Sequence, residues 1–154
     1  MSDLYDTDVV IWSERQADLL GCMAAGEWVN DQIDWANVAE EIAALGISDR
    51  RELRNRVRTI LAHLLKLQIS SAIEQRAGLC DTILEQRAKL RRLLLDSPSL
   101  KRTLPNAISE ELLEARAPVQ ASQAHHKGQP RIDSSALSFT DEQVLGPWLP
   151  DGSD

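Results

Sequence analysis

The chain has 154 residues, of which 43% are hydrophobic and 27% are charged, and its formal net charge is −7 at pH 7. This length suffices for one domain that folds without disulfides or metal ions, and the composition excludes a wholly disordered or collagen-like chain. Only 4% of the residues are aromatic, which argues against an all-β protein because strands favour aromatic and β-branched residues.

Apolar residues at steps of three and four predict the helices of the N-terminal third. The first stripe of this kind includes one polar member, Gln16, and Gly26 is the predicted stop. A second helix is predicted to begin after the N-cap Asp34 and to end at Gly46, and a third to begin after the N-cap Ser48. The buried stripe predicted for the second helix comprises Trp35, Val38, Ile42 and Leu45.

The third helix has the most regular pattern, since its apolar residues alternate steps of four and three over two heptads. This spacing predicts packing against an antiparallel neighbour within the same chain. The residues of this stripe are Leu53, Val57, Ile60, Leu64 and Leu67.

Further helices are predicted over residues 79–95 and from Pro105, with Leu113 among the residues that face inward. Pro118 is expected to break or kink the last of these helices, and residues 118–137, which lack periodicity, are expected to form an irregular loop. After this loop, a capping box at Thr140 and Gln143 predicts a short final helix that ends at Gly146. Trp148, which follows this helix, is expected to dock on the core.

These elements predict an all-α protein: a compact single-domain helical bundle of about five to seven helices over residues 1–154, with a short C-terminal capping helix. No apolar run approaches the ~18 residues of a membrane span. The first eight residues hold acids but no base, unlike a secretory signal. We therefore expect a cytoplasmic protein without a membrane anchor.

Charge is distributed unevenly along the chain. Residues 1–49 hold 11 acids and one base, whereas residues 50–102 hold 13 bases and five acids. Arg51, Arg54 and Arg58 share one face of the third helix, which makes them candidates for binding an anion such as nucleic acid. Because this stripe lacks interleaved aromatic residues for base stacking, the favoured interpretation is that these arginines pair with acids of the first two helices.

Two glutamates and a histidine supply residue types that bind divalent metals or perform acid–base chemistry. Glu40 and Glu41 lie on the second helix, after Asp34, and His63 lies on the third. Asp34, the two glutamates and His63 are the candidate metal ligands. The glutamates, His63 and Lys66, which shares a helix face with His63, are the candidate catalytic residues.

A structural role for the same residues is the favoured interpretation. Glu40 or Glu41 would then form salt bridges with Arg51 or Arg54, and His63 would bond a neighbour on its helix. The sequence contains no Glu-x-x-His pair, phosphate-binding loop or nucleophile elbow. We therefore expect no cofactor.

Several short motifs, in their order and spacing, resemble a bacterial family that is common in cyanobacteria, the domain-of-unknown-function family number 29. The resemblance covers the chain from Tyr5 to Pro150 and implies a compact, mostly helical single domain with no assigned activity. The family usually has tryptophan where Leu67 and Leu79 stand, and residues 120–138 lack its usual pattern. By resemblance, the motifs with Glu40-Glu41 and His63–Lys66 are the best site candidates. The motifs are Tyr5-Asp6-Thr7-Asp8 with Trp12, Asp34-Trp35 with Asn37, Glu40-Glu41-Ile42, Leu45-Gly46, Arg51-Glu52-Leu53, His63-Leu64-Leu65-Lys66 with Gln68, Gln86-Arg87, Pro98-Ser99-Leu100 and Trp148-Leu149-Pro150.

The favoured function is a non-enzymatic protein-interaction or regulatory domain that binds a protein partner or a second copy of itself. Two alternatives stay open. One is a metal-dependent hydrolase or nuclease that uses Glu40, Glu41 and His63. The other, less favoured, is nucleic-acid binding through the Arg51–Arg58 helix face.

Overall fold

The computed structural model describes residues 3–69, 73–125 and 133–151, which contain six α-helices, three short 3-10 helices and no β-strand. The predicted all-α fold is therefore confirmed, and the last helix is the predicted short C-terminal one. The α-helices are α1 (Asp3–Thr7), α2 (Val9–Ala24), α3 (Trp35–Ile69), α4 (Ile73–Asp96), α5 (Leu104–His125) and α6 (Asp141–Leu145). The 3-10 helices are Asn30–Gln32, Pro98–Thr103 and Ser134–Ala136.

The chain divides into two compact units, Met1–Ser48 and Asp49–Asp154, which we call the N-terminal unit and the C-terminal unit. The helix α3 contributes to both of them. A single domain over residues 1–154 stays a prediction.

The N-terminal unit has a small core, in which Trp12, Ile33 and Val38 are buried. Asp8 begins α2 because its side chain accepts a hydrogen bond from the Ile11 backbone N–H at 3.1 Å. Gly26 follows the end of α2 with a φ of 91°, a left-handed conformation that glycine adopts without a steric penalty. The helix that the sequence predicts to stop at Gly26 is α2, and both this helix and its stop are confirmed.

The helix α3 runs without interruption through Gly46 and Ser48, so the predicted stop and the predicted N-cap there are wrong. Glycine in a helix interior costs about 1 kcal/mol relative to alanine. Ending a helix at this point would instead leave unpaired backbone groups at two additional helix termini. The continuous helix is therefore the less costly conformation, and a Cβ added to Gly46 would meet no atom within 4 Å.

The apolar stripe of α3 is buried at Val38 and again from Leu53 onward, but its other members before Leu53 are exposed. The exposed fractions of Trp35, Ile42 and Leu45 are 46%, 63% and 70%. These three residues form what we call the uncovered α3 face, and their predicted burial is wrong. The stripe predicted from Leu53 to Leu67 is buried throughout, as expected.

The core of the C-terminal unit combines residues of α3, α4, α5 and α6. Leu113, predicted to face inward, is exposed. Pro118 lies inside α5, which continues to His125, so the predicted helix break is wrong and the irregular segment cannot begin at residue 118. Ala115 and Val119, on either side of the exposed proline, are both buried, and their core contacts keep this turn helical. Residues 126–132 of the predicted loop lie outside the described residues.

The final helix has the predicted caps. Thr140 accepts a hydrogen bond from the Gln143 backbone N–H at 3.2 Å, and the Gln143 side chain accepts one from the Thr140 backbone N–H at 2.9 Å. Gly146 follows α6 directly, and Trp148 packs against the core beside Phe139, with ring centroids 6.3 Å apart. The predicted docking of Trp148 on the core is confirmed.

Arginines hold this C-terminal segment (residues 133–151) through its backbone carbonyls. Arg87 is fully buried. Its Nε donates to the Val144 carbonyl at 2.9 Å, and its Nη2 donates to the carbonyls of Gln143 and Trp148 at 2.5 and 2.7 Å. Burial lowers the pKa of Arg87. Three further arginines donate to carbonyls of the same segment, Arg76 to Pro150, Arg91 to Leu145 and Arg116 to Leu137.

We expect Gly46→Ala to stabilise the protein by about 1 kcal/mol, because the position is helical, exposed and sterically open. Denaturant unfolding followed by circular dichroism measures this change. Gly26→Ala is the control, and it should destabilise the protein because alanine is strained at the positive φ of that position. A loss of stability in Gly46→Ala would mean that α3 ends at this glycine.

We expect Arg87→Met to cost about 3 kcal/mol of unfolding free energy, because it leaves the carbonyls of residues 143, 144 and 148 without their donor. Arg92→Met is the matched control. Arg92 lies on the same helix but is exposed, and its side chain pairs with Asp96 at i+4 and with no other described residue, so its loss should cost less than about 1 kcal/mol. Equal unfolding free energies for the two variants would contradict the role assigned to Arg87.

Candidate functional site

Two side-chain hydrogen bonds link the first two helices of the N-terminal unit to α3 and to Asp34, the residue before it. The Tyr5 hydroxyl donates to Glu41 Oε1 at 2.6 Å, and the Trp12 indole Nε1 donates to Asp34 Oδ2 at 3.2 Å. The rings of Tyr5 and Trp12 also meet edge to face, with centroids 4.8 Å apart. Residues from three helical segments are thus joined at one place.

Asp34 is the centre of this network. Its Oδ2 also accepts a hydrogen bond from Asn37 Nδ2 at 2.7 Å, and its backbone N–H donates to Gln16 Oε1 at 2.8 Å. The hydrogen bonds from Asn37 and Trp12 lower the pKa of Asp34 despite the opposing effect of burial. The stability that Asp34 contributes is therefore present at neutral pH and is lost as the pH falls below the usual range of a carboxyl group.

A cleft of about 470 Å³ opens beside this network in the N-terminal unit. Its lining mixes apolar walls with charged and amide groups. Gln16 is only 6% exposed, yet it lines this cleft together with Asp34. The lining residues are Leu4, Trp12, Arg15, Gln16, Asp31, Gln32, Ile33, Asp34 and Asn37.

The candidate catalytic residues are divided between the two units. Glu40 and Glu41 lie in the N-terminal unit, and His63 and Lys66 lie in the C-terminal unit. The His63 Nδ1 lies 2.8 Å from the Thr59 carbonyl, to which it donates, while Glu40 and Lys66 are exposed. Within the described ranges no three His, Cys, Asp or Glu residues are grouped as metal ligands would be. Catalytic and metal-binding roles for these residues, and for Asp34, stay predictions.

Two of the three candidate anion-binding arginines are paired with acids of α5. Arg54 contacts Glu110 and lies 3.9 Å from Glu111, and Arg58 Nε donates to Glu111 Oε2 at 2.6 Å. This pairing raises the pKa of Arg58. The expected partners, the acids of the first two helices, are therefore wrong for Arg54 and Arg58. Arg51 is exposed and has no ion pair with the part of the chain that the structure describes.

The structure buries three polar residues of the described α-helices: Gln16, whose place in an apolar stripe the sequence shows, and Arg87 and Glu111, which sequence reasoning missed. Each occupies a position that the apolar stripe of its helix would otherwise fill. Gln16 follows Trp12 by four residues, Arg87 lies between Ile83 and Leu90, and Glu111 follows Ile108 by three. A polar residue at a stripe position was the available signal for all three.

One family model, described as Domain of unknown function DUF29, matches residues 4–149. The chain belongs to this family. The match spans most of both units of this DUF29 protein. No curated protein and no solved structure is similar enough to the chain to count as a match.

The motifs that resemble DUF29 come together in the N-terminal unit. Tyr5, Trp12, Asp34, Asn37 and Glu41 all belong to these motifs, and all five are members of the hydrogen-bonded network. The network therefore gives these motif residues a common structural role, which is to fix the N-terminal helices on α3. Of the helices that the structure describes in this DUF29 chain, none combines the length and the apolar character that crossing a bilayer requires.

Tyr5 offers a direct test of the network, because it is the only tyrosine of the chain. The hydrogen bond to Glu41 raises the pKa of Tyr5 to about 12. Absorbance of the tyrosinate during a pH titration should show this value, and Glu41→Gln should move it towards the ordinary value of 10.0. Since the raised pKa favours the protonated form, its stabilising effect is present below pH 10 and is lost as the pH rises towards 12.

The control for this titration is Glu40→Gln, which removes the neighbouring exposed carboxylate but leaves the hydrogen bond in place. Its effect on the pKa of Tyr5 should be smaller than that of Glu41→Gln. A pKa near 10 in the unmodified protein would mean that the hydrogen bond between Tyr5 and Glu41 does not form in solution.

Proposed function

We propose that the protein is a non-enzymatic interaction domain of the bacterial cytoplasm that pairs with a second copy of itself through the uncovered α3 face. The observation that carries this proposal is the changing burial of one stripe. It is buried at Val38, exposed at Ile42 and Leu45, and buried again from Leu53. These apolar residues have the spacing of a buried helix stripe, but no part of the described chain covers them. Such exposed apolar residues are typical of a surface that binds a protein.

Burial of this face would be favourable for a helical partner. Each Å² of apolar surface removed from water contributes about 25 cal/mol. Trp35, Ile42 and Leu45 are spaced at steps of seven and three, which is the pattern that packs against another helix. The small residues Ala39 and Gly46 share this face by the same spacing and allow the partner helix to approach closely.

The charges along α3 support a second copy as the partner. From residue 35 to residue 49 the helix carries three acids and no base, and from residue 50 to residue 58 it carries five arginines and one acid. An antiparallel copy related by two-fold symmetry would set the acidic part of each helix towards the basic part of the other. Arg50 and Arg51 are exposed and make no ion pair with the described residues, so both are available for such contacts.

Analytical ultracentrifugation of the purified protein tests the proposal. We expect a species with twice the mass of the 17.2 kDa chain. The double variant Ile42→Glu/Leu45→Glu should be monomeric, because it places four glutamates in the interface of a two-fold pair. The matched control is Leu95→Glu/Leu113→Glu, which changes two leucines of similar exposure, 68% and 65%, on other helices. This control should keep the doubled mass.

Circular dichroism of both variants checks that their helices are intact. The proposal would be wrong if the unmodified protein were monomeric at about 100 μM, a concentration at which even weak specific pairs associate. It would also be wrong if both double variants dissociated to the same extent.

A further inference from the structure

We infer that the cleft of the N-terminal unit binds a free α-amino acid as its zwitterion. In this arrangement the ligand carboxylate contacts Arg15 and Gln16, and the ligand ammonium group contacts Asp31 and Asp34. The inference concerns a different surface from the uncovered α3 face and does not depend on dimer formation.

The first observation is a side-chain donor without a protein acceptor on a residue that lines the cleft. Gln16 is 6% exposed, and its Oε1 accepts the hydrogen bond from the Asp34 backbone N–H. Because a backbone N–H can only donate, the amide orientation of Gln16 is fixed and its Nε2 is the remaining group. This Nε2 donates to no acceptor among the residues that the structure describes, and it is not one of the buried side-chain atoms that lack a partner, so it is accessible to solvent. A ligand acceptor in the cleft would replace the solvent that it contacts.

The second observation is a set of opposite charges that line one cleft without pairing. Arg15 is the single base among residues 1–49, and it forms no ion pair with any described residue. Asp31 likewise has no hydrogen-bonded or ionic partner for its side chain in the described chain, and Asp34 keeps its Oδ1 largely open, with one backbone contact at 3.5 Å. The cleft therefore presents a cationic donor and two carboxylates to the same ligand.

The third observation is the character of the walls. Trp12 and Ile33 are buried core residues that also line the cleft, and Leu4 lines it beside them. The volume of about 470 Å³ lies in the range of small-molecule sites, which is about 300–1,000 Å³. A small molecule that carries a carboxylate, an ammonium group and an apolar side chain satisfies all of these groups, and an α-amino acid with an apolar side chain has this composition.

Isothermal titration calorimetry of the full chain with L-leucine tests the inference. We expect saturable binding of one ligand per chain with a Kd below about 1 mM. Isopentylamine lacks the carboxylate of leucine, and 4-methylpentanoate lacks its ammonium group. Each analogue should bind at least about tenfold more weakly than L-leucine, because each loses the contacts of one charge.

Two variants assign the contacts to their residues. Arg15→Gln should weaken L-leucine at least about tenfold but leave isopentylamine unchanged. Asp31→Asn should weaken L-leucine but leave 4-methylpentanoate unchanged. The control variants are Glu14→Gln and Asp18→Asn, which change exposed acids of α2 that do not line the cleft. Both should bind L-leucine as the unmodified protein does.

Three results would overturn the inference. One is the absence of saturable heat with L-leucine, L-phenylalanine, L-lysine and L-glutamate, which together sample apolar, aromatic, basic and acidic side chains. Another is equal binding of L-leucine and its two analogues, which would indicate non-specific apolar contact. The third is unchanged L-leucine binding in both Arg15→Gln and Asp31→Asn, with helix content retained by circular dichroism.

Discussion

The apolar stripe of α3 is the constraint on which the two units both depend. One helix face supplies Val38 to the small N-terminal core and Leu53, Val57 and Leu64 to the larger C-terminal core. Each core therefore needs its own stretch of α3 to be helical. Gly46 lies inside this helix despite its poor helix propensity.

The sequence predicts helices well where the signal is local and fails where distant contacts decide. The capping box at Thr140 and the stop at Gly26 depend on residues within one or two turns, and both were predicted correctly. Gly46 and Pro118 are local signals for a helix end, yet both lie inside helices. At Pro118, burial of Ala115 and Val119 overrides the local preference, and the sequence does not show which neighbours will be buried. At Gly46 the neighbouring residues are exposed, and the helix continues because ending it would leave unpaired backbone groups at two further termini.

The candidate site could be predicted only in part, because a sequence shows which residue types are present but not which residues contact one another in the fold. The acids Asp34 and Glu41 were recognised, but their partners Trp12 and Tyr5 were matched only as motif residues. Glu111 shows the same limit for the arginines, since the charge distribution along the sequence favours the acids of the first two helices as partners of Arg54 and Arg58. Glu111, which is buried on α5, instead accepts a hydrogen bond from Arg58. It thereby pairs the basic face of α3 with α5.

The way in which Arg87 holds the C-terminal segment has a consequence for acid tolerance. Most ion pairs weaken in acid, because the carboxylate partner becomes protonated. Arg87 and its neighbours Arg76, Arg91 and Arg116 bind carbonyl oxygens, which carry no titratable proton. A guanidinium group also keeps its charge throughout this range. The C-terminal segment, residues 133–151, is therefore anchored by contacts that do not change between neutral and acidic solution, whereas the arginine–glutamate contacts between α3 and α5 depend on an ionised partner.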